Sequence, residues 1–477
     1  MSSMQEPAVK SYFFGKGYRD LQATIAESWS RNLVSARQEL AAAGRLWSGT
    51  YLAKGGAILR ATAGLSVILF GTAFFLIFST LHVAVLLAFF LLIYLGFTVV
   101  YLIERGYLAW RKLSTVCPEC HEKSALPEYF CPGCGEIHRR LIPSQYGILH
   151  HTCSKCGAKL PATFFLQRGK LQARCPNPDC GYLLKAGHVE SRKIFVPIFG
   201  GPSVGKSAYL FAAVQDLAIE APRLGFGPFF VDAHSEGEFE RARQELGRGR
   251  PPAKTLASLP RAFNLELRRA GGQGSRVLYL YDPAGEAFGE TEGLILHKYQ
   301  GYLSGLIFLI DPFTIPAVQL EYQDRLPGAR EALKPSALPA EDALARIFIS
   351  LEEHFGQSKT ARLKLPVAVV INKVDAFNLE DRIGERAVRT RAAANPTTDP
   401  DTLRDELIQS QLVRWDQGDL VQQLEARCTR VRYYTCSSLG RMPDTTARAF
   451  AGRGVLEPLL WILGAADGRF FQGGGRA

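Results

Sequence analysis

The chain has 477 residues, of which 47% are hydrophobic, and its formal net charge is +11. This length allows two to four folded units with a sizeable core, and the hydrophobic content is that of a globular chain rather than a disordered one. The positive charge is compatible with two classes of partner, nucleic acid and anionic lipid headgroups. The distribution of apolar residues along the chain favours the membrane.

Residues 1–56 are predicted to form a cytosolic, partly helical segment. Apolar side chains recur there every three or four residues, as on one face of a helix: Leu21, Ile25, Trp29, Leu33, Ala36 and Leu40. We expect this face to pack on another part of the protein. Contact with the membrane surface is the alternative.

Residues 57–105 are predicted to form a transmembrane helical hairpin. Between Ala61 and Ile103, 43 residues contain no Asp, Glu, Lys or Arg. Because one bilayer crossing takes about 20 apolar residues, the run is long enough for two, at about 61–79 and 83–103. The sequence from Ser79 to His82 is the predicted turn. A buried hairpin in a soluble protein is the alternative, but it would normally show a polar stripe, and this sequence has none.

The charges around the apolar run predict its orientation. The predicted turn contains no basic residue. Basic residues lie on both sides of the run: Arg45, Lys54 and Arg60 before it, and Arg105, Arg111 and Lys112 after it. The positive-inside rule then predicts a multi-pass protein of the inner (cytoplasmic) membrane, with both ends and every later motif in the cytosol. A cleaved signal peptide is not expected, because the run begins about sixty residues along the chain and exceeds a signal's apolar core.

Residues 113–185 contain eight of the ten cysteines and are predicted to form tandem zinc ribbons. The first set of ligands is Cys117, Cys120, Cys131 and Cys134, and the second is Cys153, Cys156, Cys175 and Cys180. Two sets of four thiolates suit two tetrahedral zinc sites, and glycine after Cys134, Cys156 and Cys180 allows the backbone to approach closely. Pairing across the two sets stays open.

Other interpretations of these cysteines are less favoured. Disulfides are rare in the reducing cytosol, and an iron–sulfur cluster suits the tandem knuckles less well than zinc. A structural or protein-docking role for the ribbons is favoured over nucleic-acid binding, since aromatic and basic residues are not interleaved around them. Cys428 and Cys436 are expected to be core thiols.

Residues 192–466 alternate between predicted strands and helices, which indicates a doubly wound α/β domain with a mostly parallel sheet. Strands are predicted at 193–199, 263–268, 276–281, 305–310, 367–371 and 431–435, and helices at 208–221, 341–355 and 455–463. The segments 320–340 and 376–425 are predicted to be surface insertions. Residues 467–477 are predicted to be a flexible tail.

A phosphate-binding loop follows the first of these strands. Its eight residues fit the pattern GxxxxGK[ST]: Gly200, Gly201, Pro202, Ser203, Val204, Gly205, Lys206 and Ser207. Backbone N–H groups of such a loop converge on the β-phosphate at a helix N-terminus. Lys206 is predicted to reach the β- and γ-phosphates, and Ser207 to place its hydroxyl on Mg²⁺. Pro197 is unusual in the preceding strand, because it cannot donate a ladder hydrogen bond.

A DxxG motif, from Asp282 to Gly285, follows a later strand. Asp282 is predicted to hold Mg²⁺ through water, and the N–H of Gly285 to contact the γ-phosphate, so that this loop acts as a switch. Thr255 precedes the strand at 263 and is the predicted first-switch ligand of Mg²⁺. The residue after the motif is Glu286, a carboxylate unsuited to a site beside a γ-phosphate. We therefore expect slow or partner-dependent hydrolysis.

Two arginines shortly before Thr255 have two interpretations. Arg248 and Arg250 have the charge needed for an arginine finger supplied in cis. The favoured interpretation is that both are solvated surface charges.

The third motif reads the base. Asn372, Lys373 and Asp375 fit NKxD and follow the apolar strand at 367–371. A carboxylate at Asp375 accepts hydrogen bonds from both N1–H and the 2-amino group of guanine, and adenine offers neither donor. Asn372 is predicted to bond the other edge of guanine or to tie the loop together, and Lys373 to lie over the base. Ser437 and Ser438, after the last strand, are the candidates to bond the guanine oxygen through backbone N–H groups.

The segment 200–440 resembles the Ras-like (translation-factor-related) P-loop GTPases, in which the same motifs follow in the same order. From about residue 60 onward, the chain is most similar to the bacterial double-GTPase proteins of predicted conflict systems, which combine such a domain with zinc ribbons and membrane helices. The resemblance implies a regulatory GTPase that works with other components, such as a second GTPase or an effector.

The motifs and the resemblance together predict a membrane-anchored, Mg²⁺-dependent switch protein that hydrolyses GTP to GDP and phosphate. Lys206 and the switch N–H of Gly285 are the expected catalytic groups, with GTP/GDP, Mg²⁺ and two Zn²⁺ as the bound species. The resemblance also implies that Glu286 occupies the position of the residue that orients the attacking water. Membrane lipid and a protein are the expected partners, and nucleic acid is not favoured. One alternative is an ATPase or transport-associated P-loop protein. Another is a zinc-ribbon scaffold for protein or nucleic acid whose nucleotide is structural.

Overall fold

The structure is a computed structural model that describes residues 6–110, 113–117, 120, 123–124, 126–184, 191–231, 233–252, 261–269, 275–282, 303–355, 362–444 and 448–471. The chain divides into two compact units. The first comprises residues up to Trp110 together with Leu126–Pro176. The second comprises the segment Arg111–Ala125 and the residues from Asn177 onward.

Two long helices dominate the first unit. Helix α1 spans Lys16–Trp47, and after a break at Gly49 a second helix, α2, spans Tyr51–Trp110. Helix α2 is the one helix of the described chain that is long and apolar enough to cross a membrane. The predicted helix in the N-terminal segment is therefore present, and it is longer than its apolar stripe suggested.

The predicted hairpin turn at Ser79–His82 is wrong, because α2 is continuous through these residues. The hydroxyl of Thr80 donates to the carbonyl oxygen of Leu76, one helical turn earlier, at 2.8 Å. Hydroxyl side chains can bond to the preceding turn in this way without ending a helix. The irregularity in α2 lies instead at Val67–Gly71, a single π-helical segment. A multi-pass hairpin is thus not supported.

The rest of the first unit is built from short strands. Glu128–Phe130 pairs antiparallel with Ile137–His138 and with Ala173–Arg174, and His150–Thr152 pairs with Lys159–Pro161. Such a small fold has little apolar core, so it depends on other stabilising interactions.

A buried ion pair joins this small fold to the end of α2. The guanidinium of Arg168 donates to Glu104 Oε1 at 2.6 Å, and to the carbonyl oxygens of Leu141 and Ala162 at 2.8 and 3.0 Å. Glu104 also accepts the backbone N–H of Phe164 at 3.2 Å. Both charged side chains are almost fully buried, at 1% and 2% exposure, so the pair specifies how α2 meets the small fold.

A twisted sheet forms the centre of the second unit. Its strands are β1 Ser191–Phe199, β2 Phe226–Phe230, β3 Arg261–Arg269, β4 Ser275–Asp282, β5 Leu306–Ile310, β6 Leu363–Ile371 and β7 Cys428–Thr435. The order is β2-β3-β4-β1-β5-β6-β7. Strands β4, β1, β5, β6 and β7 are mutually parallel, and β2, β3 and β4 pair antiparallel. The predicted doubly wound, mostly parallel domain is confirmed.

Helices cover both faces of this sheet. They are α3 Lys206–Glu220, α4 Ala233–Gly247, α5 Pro316–Glu321, α6 Leu326–Leu333, α7 Ala340–Phe355, α8 Leu379–Ile383, α9 Glu385–Ala394, α10 Pro400–Arg414, α11 Gly418–Arg427 and α12 Leu456–Phe471. The apolar side chains of β5 and β6 are buried on both faces, as expected of central parallel strands.

Three predictions about this unit need correction. The segment 376–425 is not a surface insertion, because its helices place Ile408, Leu412 and Leu420 in the core. Within 320–340, helix α6 borders the site described below. The predicted tail starts later than residue 467, since α12 continues to Phe471. The charged residues near the end of α12 made this part of the sequence look polar, although one face of the helix is apolar.

Pro197 is accommodated in the central strand β1 by its register. It is opposite Tyr281 of β4, and β1 begins its register with β5 one residue later, at Ile198. The strand therefore keeps its place although proline has no N–H to donate.

Candidate nucleotide-binding site and cysteine clusters

A cleft of about 660 Å³ lies where the phosphate loop and the residues after β4, β6 and β7 meet. This volume is within the usual range for a small-molecule site. Four separated sequence segments contribute predicted site residues to its lining: Pro202, Ser203, Gly205, Lys206 and Ser207; Asp282; Asn372, Lys373 and Asp375; and Ser438. Val204 of the loop is instead buried in the core, so it shapes the loop without bordering the cleft.

The phosphate loop leads directly into α3. Gly205 has φ +98°, and a Cβ atom there would lie 2.5 Å from Asn372 Nδ2, so only glycine fits. Lys206 begins the helix, and its ammonium donates to the carbonyl oxygens of Gly200 and Gly201 at 2.9 and 3.1 Å. The loop thus presents a buried cation and a helix N-terminus on one side of the cleft, which is the arrangement that favours phosphate.

Two of the three predicted Mg²⁺ residues are adjacent. The hydroxyl of Ser207 donates to Asp282 Oδ2 at 2.6 Å, and Asp282 is fully buried at the end of β4. A hydroxyl and a carboxylate are oxygen donors of the kind that Mg²⁺ takes together with phosphate oxygens, so the pair fits that ion. Thr255, Gly285 and Glu286 lie outside the described residues.

Asn372 ties the base loop to the phosphate loop. Its amide nitrogen donates to Val204 O at 2.8 Å. Its amide oxygen accepts from the N–H and hydroxyl of Ser438 at 3.0 and 2.9 Å, and from the thiol of Cys436 at 3.3 Å. Of the two roles predicted for Asn372, the contacts support the tie between loops. Cys436 and Cys428 are both buried, as expected of core thiols.

Replacing Asn372 by Ala is expected to lower the free energy of unfolding by about 2–4 kcal/mol, because Val204 O and the Ser438 N–H would lose their partner in a buried setting. Denaturant unfolding of the full chain measures the change. Asn395→Ala is the matched control, since Asn395 is an exposed residue whose amide donates to the carbonyl oxygen of Arg391 in its own helix. Equal stability of the two variants would show that the Asn372 network does not hold the loops together.

Lys373 makes a contact that the sequence did not indicate. Its ammonium donates to Asp311 Oδ2 at 2.6 Å, and to the carbonyl oxygens of Ser203 and Leu333 at 3.0 and 2.8 Å. Asp311 is fully buried and also accepts the backbone N–H of Ser336 at 3.1 Å. Lys373 therefore links the phosphate loop to the end of α6 through hydrogen bonds. Asp311 could have been identified from the sequence, because it is an acidic residue directly after an apolar strand, as Asp282 is.

Three further segments border the cleft although no motif marked them. They are Pro251 and Pro252 after α4; Gly328, Glu331, Ala332, Leu333 and Lys334 from α6 and its end; and Leu439, Arg441, Met442, Pro443 and Asp444 from the loop after β7. They lie far along the chain from the phosphate loop, so only the fold places them there.

The serines after β7 differ in part from the prediction. The N–H of Ser437 donates to Arg453 O at 3.0 Å, and that of Ser438 donates to Asn372, so neither N–H is directed at a base. The hydroxyl of Ser437 instead donates to Asp375 Oδ1. This contact orients the carboxylate predicted to read guanine.

The two arginines considered as fingers are on the surface. Arg248 and Arg250 are exposed and lie 3.4 and 3.7 Å from the carboxylate of Glu245. Their placement agrees with the favoured interpretation of solvated charges.

The eight cysteines in the 113–185 segment form two groups of four, but not the predicted ones. One group is Cys117, Cys120, Cys175 and Cys180, and the other is Cys131, Cys134, Cys153 and Cys156. Within each group all four sulfur atoms lie within 4.8 Å of one another. Each CxxC pair does stay together. Each observed group combines cysteines from both predicted sets, and the sequence spacing had left this arrangement open.

The geometry of the groups fits zinc. Representative sulfur separations are 3.6 Å for Cys117–Cys180, 3.4 Å for Cys131–Cys156 and 3.6 Å for Cys134–Cys153. A tetrahedral site with zinc–sulfur bonds of about 2.3 Å requires separations of about 3.8 Å. Small movements of the cysteine side chains would bring the sulfur–sulfur separations to this value.

Electrostatic coupling among the sulfur atoms shifts the pKa values of these thiols in opposite directions. Burial acts to raise the pKa of Cys153, but N–H donors from Cys156 and Lys155 and the nearby His138 lower it to about 6. The N–H of Glu136 acts to lower the pKa of Cys134, but burial and the neighbouring sulfurs raise it to about 12. Four thiolates so close together need a cation to offset their repulsion, and a bound metal supplies it.

The fold and the cleft define the second unit as a P-loop nucleotide-binding domain. The model of the Double-GTPase 2 family matches residues 194–424, and this part of the chain is a double-GTPase P-loop domain. The match includes the phosphate loop, Asp282 and the NKxD motif, and ends before Ser437.

One solved structure is similar to part of the chain. A solved structure of nucleolar GTP-binding protein 1 from Plasmodium falciparum is similar over 59% of this chain and 90% of its own, with 11% identity and a TM-score of 0.27. No curated protein matches the sequence.

Proposed function

We propose that the protein is a membrane-associated switch that binds GTP and hydrolyses it to GDP and phosphate. The observation that carries the proposal is the single cleft shared by the phosphate loop, the Ser207–Asp282 pair and the Asn372–Asp375 loop. Phosphate recognition, oxygen donors for a cation and a carboxylate for guanine are the three requirements of a GTP site, and here they lie within one cavity.

Each group has a distinct role in this proposal. Lys206 and the loop N–H groups bind and orient the phosphates, so that a water molecule attacks the γ-phosphorus as the bond to the β-phosphate oxygen breaks. Ser207 and Asp282 would hold Mg²⁺, which offsets phosphate charge when it is bound. Asp375, oriented by Ser437, selects guanine over adenine.

Regulation is the second part of the proposal. Glu286 at the position after DxxG supports slow intrinsic hydrolysis, and a protein partner, either a second GTPase or an effector, would then control the lifetime of the GTP state. Such a partner would act at the inner membrane, with α2 as the attachment.

Membrane association is supported by the exposure of α2. Only 6% of its most apolar 18-residue window is buried within the protein. The core helix of a soluble protein is mostly buried, so this one needs another apolar environment. In the proposed protein, the two cysteine groups would each bind Zn²⁺ as structural sites.

Nucleotide binding by the detergent-solubilised protein tests the proposal. We expect GTP, but not ATP, to displace a bound fluorescent GTP analogue in the presence of Mg²⁺, and Lys206→Ala to weaken binding by about 10²-fold or more, since a buried cation that bonds to phosphate is lost. Lys364→Ala, at an exposed position on β6, is the matched control. Equal displacement by ATP would refute guanine selection.

A further inference from the structure

Helix α1 lies lengthwise against α2, antiparallel to it. Near one end of the pair, Glu39 bonds to Arg60 at 3.1 Å. In the middle, the Trp29 ring N–H donates to the Ser79 hydroxyl at 3.0 Å. Near the other end, the rings of Tyr18 and Phe90 are 6.1 Å apart. The contact therefore extends along most of the uncharged run.

Close packing makes the contact specific. A Cβ atom on Gly64 would lie 3.0 Å from the side chain of Leu40, and one on Gly71 would lie 2.3 Å from Asn32 Oδ1. Asn32 and Ala36 of α1 are buried by this packing. The glycines of α2 thus form a groove for the inner face of α1.

The outer face of α1 is charged at the level of the apolar run. Glu27 and Arg31 flank Trp29 and form an i,i+4 ion pair, with side chains 62% and 78% exposed. Other charged residues are exposed along the same helix: Arg19, Asp20, Arg37 and Arg45. Charges therefore run beside α2 from one end of the contact to the other.

The remaining surface of α2 is apolar and open. Phe70, Ile77 and Leu91 are 76%, 66% and 70% exposed. The helix pair consequently has a charged side, formed by α1, and a wide apolar side, formed by α2. This division runs parallel to the helix axes, whereas a membrane-crossing element needs its polar groups at its ends.

We infer that the α1–α2 pair attaches to the membrane in the plane of its surface, with α1 toward water and α2 toward the acyl chains. A crossing in this conformation would carry Glu27 and Arg31 into the hydrocarbon, where charged side chains are strongly disfavoured. The in-plane arrangement keeps them hydrated and buries the apolar side. The inference rests on the proposed membrane association and specifies its geometry.

Accessibility of single added cysteines to a membrane-impermeant maleimide tests the geometry. The sites are Ser30→Cys on the outer face of α1, Ser48→Cys between the helices and Thr80→Cys within α2, all exposed positions. The unsubstituted chain gives the background from its native cysteines. Labelling is compared in inverted membrane vesicles, which expose the cytosolic face, and in intact spheroplasts, which expose the opposite face.

The in-plane geometry predicts that Ser30→Cys and Ser48→Cys are labelled in inverted vesicles as completely as after detergent treatment, and that none of the three is labelled in spheroplasts. A single crossing by α2 would make Ser48→Cys reactive in spheroplasts. A two-crossing hairpin would make Thr80→Cys reactive there. Either result overturns the inference, whereas recovery of the protein outside the membrane fraction would refute membrane association itself.

Discussion

Asp375→Asn is expected to weaken GTP binding by about 10²–10³-fold and to create binding of xanthosine triphosphate. The carboxylate accepts two hydrogen bonds from guanine, and charge-assisted bonds of this kind contribute about 1.5–3 kcal/mol each. An amide keeps one acceptor and gains one donor. Xanthine retains N1–H but has a carbonyl oxygen at position 2, so it complements the amide. Competition binding with both nucleotides measures the exchange of specificity.

The gain of xanthosine triphosphate binding separates a change in recognition from a loss of folding. The amide oxygen of the variant can still accept the Ser437 hydroxyl, so the loop should keep its position. Asp381→Asn is the control, since Asp381 is an exposed carboxylate paired with Arg386 and lies outside the cleft lining. If Asp375→Asn binds GTP and ATP as the unchanged protein does, the base is not read by this residue.

The number of zinc ions that double cysteine variants retain is expected to depend on whether both substitutions lie in the same observed group. In Cys120→Ser/Cys175→Ser both substitutions lie in one observed group, so one zinc should be lost and one retained. In Cys120→Ser/Cys131→Ser each group loses a ligand, so both sites should be weakened. A structural zinc site contributes about 10–16 kcal/mol of binding free energy in small domains, so loss of metal should also unfold the fold around it.

The two double variants provide reciprocal controls. If the ligands paired in sequence order, Cys120→Ser/Cys131→Ser would spare one zinc and Cys120→Ser/Cys175→Ser would affect both. Metal analysis of the intact, purified chain distinguishes the two outcomes directly. An even loss in both variants would indicate that the two sites fold as one cooperative unit and would contradict independent groups.

Short contiguous motifs could be recognised from the sequence because their chemistry depends on neighbouring residues. The phosphate loop needs glycines, a lysine and a hydroxyl at set spacings along a strand–helix turn, and β1 and α3 provide that turn. Asp282, Asn372 and Asp375 follow apolar strands, and parallel strands bring their carboxyl ends to one edge of a sheet. The order of motifs along the chain was therefore enough to predict one shared site.

The structure decided what depends on contacts between distant segments. The CxxC spacing correctly predicted that the two cysteines of each knuckle share a site. Which two knuckles form one site depends on how the short strands fold, and the distance between the knuckles along the chain does not specify this. The polar residues Ser79 and Thr80 looked like a turn, yet their hydroxyls bond to Trp29 of α1 and to the helix itself. Asp311 pairs with Lys373 of the cleft lining, and helix α6 borders the cleft directly. Amino-acid sequence thus determined the chemistry of each motif, and tertiary structure determined which motifs meet, because proximity between distant segments arises only when the whole chain packs.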